Sequence, residues 1–277
     1  SGQFKDAAAF FDALKRAEPQ GESIPTFDDS ELDTYRRQIF HTRQFPDPGE
    51  FLVSNNDKEV YVSEGRLVKA WFNVGGKRDD SVRNFRVLTF LKRLDKLAAV
   101  NPTYLPRILD YGLAARSGSM YLVTDVVDGT TWADATLDDA DKLGVIEKLT
   151  AAVEHLHGLG ISHGDLHPGN VMLGRESGNV YLVDIPDFSH NTAESKNHRY
   201  SPENIDGSSS EQRDIFAVLR MSCELLGLEW GEESKAYPRI SEVVQSELSD
   251  LAFGFKDLGR FKKALTTADE VQEQQFV

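Results

Sequence analysis

The sequence predicts an α+β chain in two lobes: a five-stranded antiparallel sheet carrying one helix, then a mainly helical lobe. Three observations carry this reading. Short runs rich in Val, Phe, Tyr and Trp, divided by turn residues, fill the stretch from about 38 to 73. A segment with apolar residues at every third position interrupts the strands between the third and the fourth. From about residue 141 onward, apolar residues recur at steps of three and four, the spacing that lays them along one helical face.

In chain order, "KDAAAFFDALKR" (5–16) reads as a short amphipathic helix, ended by the two prolines and the glycine of "EPQGESIPTFDDS". Residues 1–40 are therefore expected as a helical extension, 41–127 as the first lobe and 128–277 as the second. "EFLVSNNDKEVYVSEGRLVKAWF" gives three strands separated by "SNNDK" and "SEG". The next helix, in "DDSVRNFRVLTFLKRLDKL", places Val82, Phe85, Leu88, Leu91 and Leu94 on one face. "LPRILDYGL" and "SMYLVTDVV" complete the five strands. In 141–157, Leu143, Ile146, Leu149, Val153 and Leu156 form the stripe of a second helix, closed by Gly158 and Gly160. "GNVYLVDI" reads as a further strand, "SEQRDIFAVLRMSCELLG" as a buried helix, and the last 50 or so residues as helical.

Composition narrows the function. With 40% hydrophobic and 27% charged residues the chain is globular rather than disordered. A net charge of -14 argues against nucleic acid and anionic membrane as partners, because both require a basic face. No apolar run approaches the roughly 20 residues of a membrane span. The single cysteine, Cys223, excludes an intrachain disulfide framework, reads as a buried helical position and fits a reducing, cytoplasmic compartment. The chain opens "SGQF" rather than with methionine, which fits a cloning remnant or a domain with neighbours in a longer parent protein.

Four motifs then follow in order: "HGDLHPGN" (163–170), "LVDI" (182–185), "YSPE" (200–203) and "RDIFAVL" (213–219). Together with a strand meander joined to a helical lobe through "TDVVDG", they resemble the protein-kinase fold over roughly 45–265. The resemblance implies Mg2+ and ATP as cofactors and phosphoryl transfer to a Ser/Thr hydroxyl of a protein. Such chemistry runs on positioning and charge neutralisation. The resemblance implies that Asp165 orients the acceptor hydroxyl and takes its proton. Asn170 and Asp184 would supply the hard oxygen ligands that magnesium prefers. Lys69, in "VKAW", would hold the phosphates. Thr124 would guard the back of the adenine pocket, and the linker from Asp125 through Val127 to Gly129 would offer main-chain groups to adenine. Glu203 would pair with an arginine, Arg239 or Arg260, and Asp214 would hydrogen-bond the backbone of the "HGDLHPGN" loop.

Five departures from that pattern bear on activity. The turn "VSNNDKEV" has none of the glycines that bring backbone N–H groups close to phosphate, and Asp57 there has the wrong charge if it points inward. Residues 81–94 contain no carboxylate to orient Lys69; the expected position falls at Val87 or Leu88, and Asp79 and Asp80 sit where a helix dipole favours them. "DIP" places Pro186 where the family has a flexible glycine. Gly164 stands in place of an arginine that would bind a phosphorylated segment, so Thr192 and Ser195 are not expected as activating phosphosites. His167 replaces a phosphate-binding lysine. Two alternatives therefore stay open: a pseudokinase that works by nucleotide binding or protein interaction, and a small-molecule kinase of the aminoglycoside or choline type. "YSPE" and "RDIFAVL" weigh against the second.

Overall fold

The computed structural model describes residues 44–55, 58–72, 81–114, 118–185, 198–202, 208–249, 255 and 258–275. The expected helix at 5–16, Pro186, Thr192, Ser195 and Glu203 lie outside them.

The five-stranded sheet is built from β1 (Glu50–Asn55), β2 (Lys58–Ser63), β3 (Arg66–Trp71), β4 (Ile108–Ala114) and β5 (Ser119–Asp125). Its order is β1-β2-β3-β5-β4 with antiparallel pairing throughout. The β2–β3 hairpin closes through Glu64 and Gly65, both at positive φ, the backbone that two-residue turns use to match strand twist. Val60 lies opposite Lys69, and Leu67 opposite Thr124. The alternation of strand side chains therefore aims Val60, Leu67, Lys69 and Thr124 at one side.

Helix α1 (Ser81–Val100) falls between β3 and β4 as the spacing predicts. It drives Leu88, Leu91 and Leu94 into a core with Trp71, Phe90, Met120 and Leu122. Leu91 and Leu94 are fully buried; burial of one such side chain stabilises by roughly 1.5–3 kcal/mol. Val87 and Leu88, the two positions where a carboxylate would be needed, belong to the same core.

The second lobe contains α2 (Asp139–Gly158), α3 (Ser210–Leu226), α4 (Pro238–Ser249) and α5 (Gly259–Gln275). The stripe Leu143, Ile146, Leu149, Val153 and Leu156 is buried. Cys223 is buried too, and burial pushes its thiol up to about 12, far from a reactive thiolate. Ser209 and Gln212 form a capping box at the start of α3. A small sheet was not expected beyond its last strand: β6 (Gly129–Thr131), β7 (Val171–Gly174) and β8 (Val180–Leu182), in that order. Gly129 is required there, since a Cβ would sit 2.1 Å from the Leu173 carbonyl oxygen.

Helix α3 ends at Gly227 in the left-handed conformation, φ 67°, whose N–H donates to the Glu224 carbonyl. A Cβ there would meet nothing within 4 Å. Gly227→Ala therefore isolates the backbone cost: about 1–2 kcal/mol of lost stability, read by urea denaturation. An unchanged midpoint would refute it.

Candidate functional site

The loop that begins at Ile161 is fixed from below by Asp214 of α3, which has no solvent exposure. Its Oδ2 accepts from the His163 N–H and its Oδ1 from the Gly164 N–H, both at 2.7 Å. His157 Nε2 on α2 lies 2.9 Å from Oδ2. Arg213 adds a second brace: its Nε donates to the Gly164 carbonyl at 3.2 Å and its Nη1 to the Ser208 carbonyl at 2.9 Å. Gly164 holds φ +81°, a backbone that suits glycine. The expected bond from Asp214 to the loop backbone is thus present twice.

His163 ties this loop to the strand that leads to Asp184. Its Nε2 lies 2.9 Å from the Val183 carbonyl, and its Nδ1 accepts from the Asp165 N–H at 3.4 Å. This pair of bonds calls for a neutral ring with its proton on Nε2. The Val183 N–H in turn donates to the Asn170 carbonyl at 2.9 Å. Asn170 donates its side-chain amide to the Asp165 carbonyl at 2.9 Å. That leaves its amide oxygen as the polar end open to a ligand. His167 accepts from the Gly169 N–H at 3.0 Å, and its Nε2 stands 4.0 Å from Asp165 Oδ2. It is therefore both the cap of a one-turn helix (Pro168–Asn170) and a neighbour of the loop aspartate, rather than a packing residue alone.

A cavity of about 350 Å³ lies between the lobes. Leu67, Ile108, Leu122, Met172 and Leu182 give it apolar walls. Lys69, Thr124, Asp125, Val127 and Asp184 all line it, whereas Asp165 and Asn170 stand beside it, laced to Val183. Volume and mostly apolar lining fall in the range of small-molecule pockets. The linker is itself held: the Asp125 N–H donates to the Arg107 carbonyl at 3.0 Å and the Val126 N–H to the Gly65 carbonyl at 2.9 Å. The Asp125 carboxylate takes an ion pair from Arg107 at 3.0 Å.

Lys69 is joined to Asp184. The ammonium binds Asp184 Oδ1 directly, and Lys58 Nζ approaches Oδ2 at 3.5 Å. Asp184 adopts φ 66°, an uncommon backbone for a residue other than glycine and one that clusters at functional positions. Lys58 was missed in the sequence, where it reads as turn charge beside Asp57. The available signal was its spacing: it lies two residues before Val60, hence on the same face.

The segment end is anchored elsewhere. Tyr200 donates to Glu224 Oε2 at 2.8 Å, and Arg199 and Arg220 both reach Oε1 at 2.9 Å. Burial pushes the Glu224 carboxyl up, but the bonds from Tyr200, Arg199 and Arg220 outweigh it and hold the carboxyl below its ordinary value. Tyr200 rises to about 12, through burial first and then Glu224. Of the two arginines expected to brace Glu203, Arg260 bonds Ser246 Oγ at 2.9 Å and lies 3.7 Å from Glu247.

No family model matches the chain. The chain is 30% identical over 97 residues to the serine/threonine-protein kinase csk1 of Schizosaccharomyces pombe, covering 32% of this chain and 29% of that one. It is 32% identical over 121 residues to the probable serine/threonine-protein kinase PknB of Lactococcus lactis, covering 38% and 19%. It thus spans less than a third of either relative. Among solved structures, the Mycobacterium tuberculosis PknI kinase domain superposes with a TM-score of 0.53 at 18% identity, over 80% of this chain and 94% of that one. Rad53 1–466 in complex with AMP-PNP gives 0.51 at 17%, over 78% and 62%.

Proposed function

We propose, from the premise that the chain is a protein kinase-like domain, that it binds Mg-ATP between its lobes and transfers the terminal phosphoryl group to a Ser/Thr hydroxyl of a protein. The observation that carries this reading is the lacing of Asp165, Asn170 and Asp184 through Val183, with Asp184 and Lys69 joined at the wall of the cavity. The relatives csk1 and PknB are named as serine/threonine-protein kinases, which supports the acceptor class.

The described residues fit a magnesium ion that keeps its waters. No group of three or more His, Cys, Asp or Glu placed to hold a metal ion occurs among them, and Mg2+ asks for only one or two carboxylates beside substrate phosphates. Asn170, with its amide nitrogen committed to the Asp165 carbonyl, and Asp184 would hold it. When bound, it would neutralise charge on the transferring phosphates. Lys69 binds phosphate oxygens, and Thr124, Asp125 and Val127 receive the base. Asp165 accepts the acceptor's proton, and Asp214 keeps that loop in place.

A second reading has its own observation. Val87 and Leu88, where the sequence pattern calls for the orienting carboxylate, are apolar and packed in a core, and the Asp184 carboxylate is engaged by two lysines. That arrangement fits a pseudokinase acting through nucleotide binding or protein interaction.

Mg-ATP at a hundred times its Kd is expected to stabilise the fold by about 2.7 kcal/mol. Thermal melts with and without magnesium measure it. No rise at millimolar Mg-ATP removes the nucleotide-binding reading. Binding without transfer to any protein acceptor favours the pseudokinase.

A further inference from the structure

Lys58 opens β2 and is 93% buried, an uncommon place for a lysine that serves only as a solvated turn residue. It stands on the cleft side of the sheet, two residues before Val60, which lines the cavity and lies opposite Lys69. Its ammonium and that of Lys69 approach the two oxygens of one carboxylate, Asp184, from adjacent strands. Both ammonium groups thus stand beside the carboxylate that lines the cavity, in a chain whose net charge is -14. Two neighbouring ammonium groups at one site suit the several oxygens of a polyphosphate.

We propose that Lys58 is a second polyphosphate-binding residue. It reaches the phosphates of the bound nucleotide from β2 while Lys69 reaches them from β3. The turn that precedes Lys58 lacks the glycines by which backbone N–H groups hold phosphate. A side-chain ammonium at the start of β2 supplies a donor in the same part of the cleft. Asp184 stands in the structure where the anionic tail of the ligand would compete for both lysines. With Asp184 engaged by a metal ion, both ammonium groups would be available to phosphate oxygens. The assignment rests on the nucleotide-binding reading and adds a residue to it.

The test is titration of the full chain and its Lys58→Met and Lys58→Arg variants with Mg-ATP, Mg-ADP and adenosine, by calorimetry. Melting of each ligand-free protein shows that it folds. Lys58→Met is expected to weaken Mg-ATP about tenfold or more, the scale of a lost hydrogen bond to a charged group. Adenosine affinity stays unchanged, and Lys58→Arg recovers most of the loss. If wild type binds Mg-ATP and Lys58→Met binds it equally well, Lys58 has no such role. Equal loss for adenosine and Mg-ATP also overturns it, since the effect would then be on cavity shape. A gain in Mg-ATP affinity overturns it as well, and assigns Lys58 to masking the metal ligand. If wild type binds neither Mg-ATP nor adenosine, the nucleotide-binding reading falls and takes this assignment with it. Should Lys58→Met not fold, Lys58→Gln serves the same comparison.

Discussion

Asp165→Asn is expected to lower phosphoryl transfer by about 10²–10⁴-fold, the usual contribution of a positioned general base, while the protein still binds Mg-ATP. The substitution keeps the shape of the side chain and removes the proton acceptor. Two bonds that position residue 165 survive it: its N–H to His163 and its carbonyl from Asn170 belong to the main chain. The loop should therefore keep its shape, so lost turnover reports chemistry rather than collapse. A labelled-ATP assay on a protein acceptor, paired with nucleotide titration, makes the measurement. Turnover unchanged in Asp165→Asn would remove the aspartate from the mechanism. Parallel loss of binding and turnover would make it a structural residue.

Asp214→Ala is expected to cost about 3–5 kcal/mol of stability, the range for removing one member of a buried charged network. The carboxylate has no solvent exposure and accepts two main-chain N–H groups, with His157 Nε2 beside it. Its removal strands the buried His163 N–H and the part-buried Gly164 N–H. Urea denaturation reads the loss. Asp214→Asn keeps an acceptor oxygen and should fall between wild type and alanine. A loss below about 1 kcal/mol for alanine would show that the loop is held mainly by Arg213. Any residual transfer in the folded fraction then measures how far loop order, as distinct from the chemical groups, sets the rate.

How much of this was legible in advance follows from the range of each interaction. The stripe from Leu143 to Leu156 announced its helix because a helical face is written within seventeen residues; the observed span, Asp139–Gly158, differs by two residues at one end and one at the other. The β2–β3 hairpin was visible in "SEG", whose Glu64 and Gly65 take the turn. The strands β6 and β7 were not visible. Three and four residues carry too little alternation to register, and Gly129–Thr131 pairs with a partner more than forty residues away. The partner of Lys69 was also beyond reach. The absence of a carboxylate in residues 81–94 showed only that the usual partner was missing. Asp184, which Lys69 meets in the structure, lies 115 residues along the chain. Lys58 was hidden for a related reason: beside Asp57 and two asparagines it has the composition of a turn, and only its position in the sheet reveals its face.

Helix α3 carries both Asp214, beneath the loop of Asp165, and Glu224, which receives Arg199 and Tyr200 from the segment end. Ten residues of helix separate them, about 15 Å along its axis. The helix is thus a ruler: it sets the spacing between the loop and the place where the chain returns at Ser201, which is itself buried. A rod with an attachment near each end transmits tilt but does not stretch. A partner that rotates α3 would displace both attachments together, whereas one that pulls on either alone would have to break ion pairs or buried hydrogen bonds first.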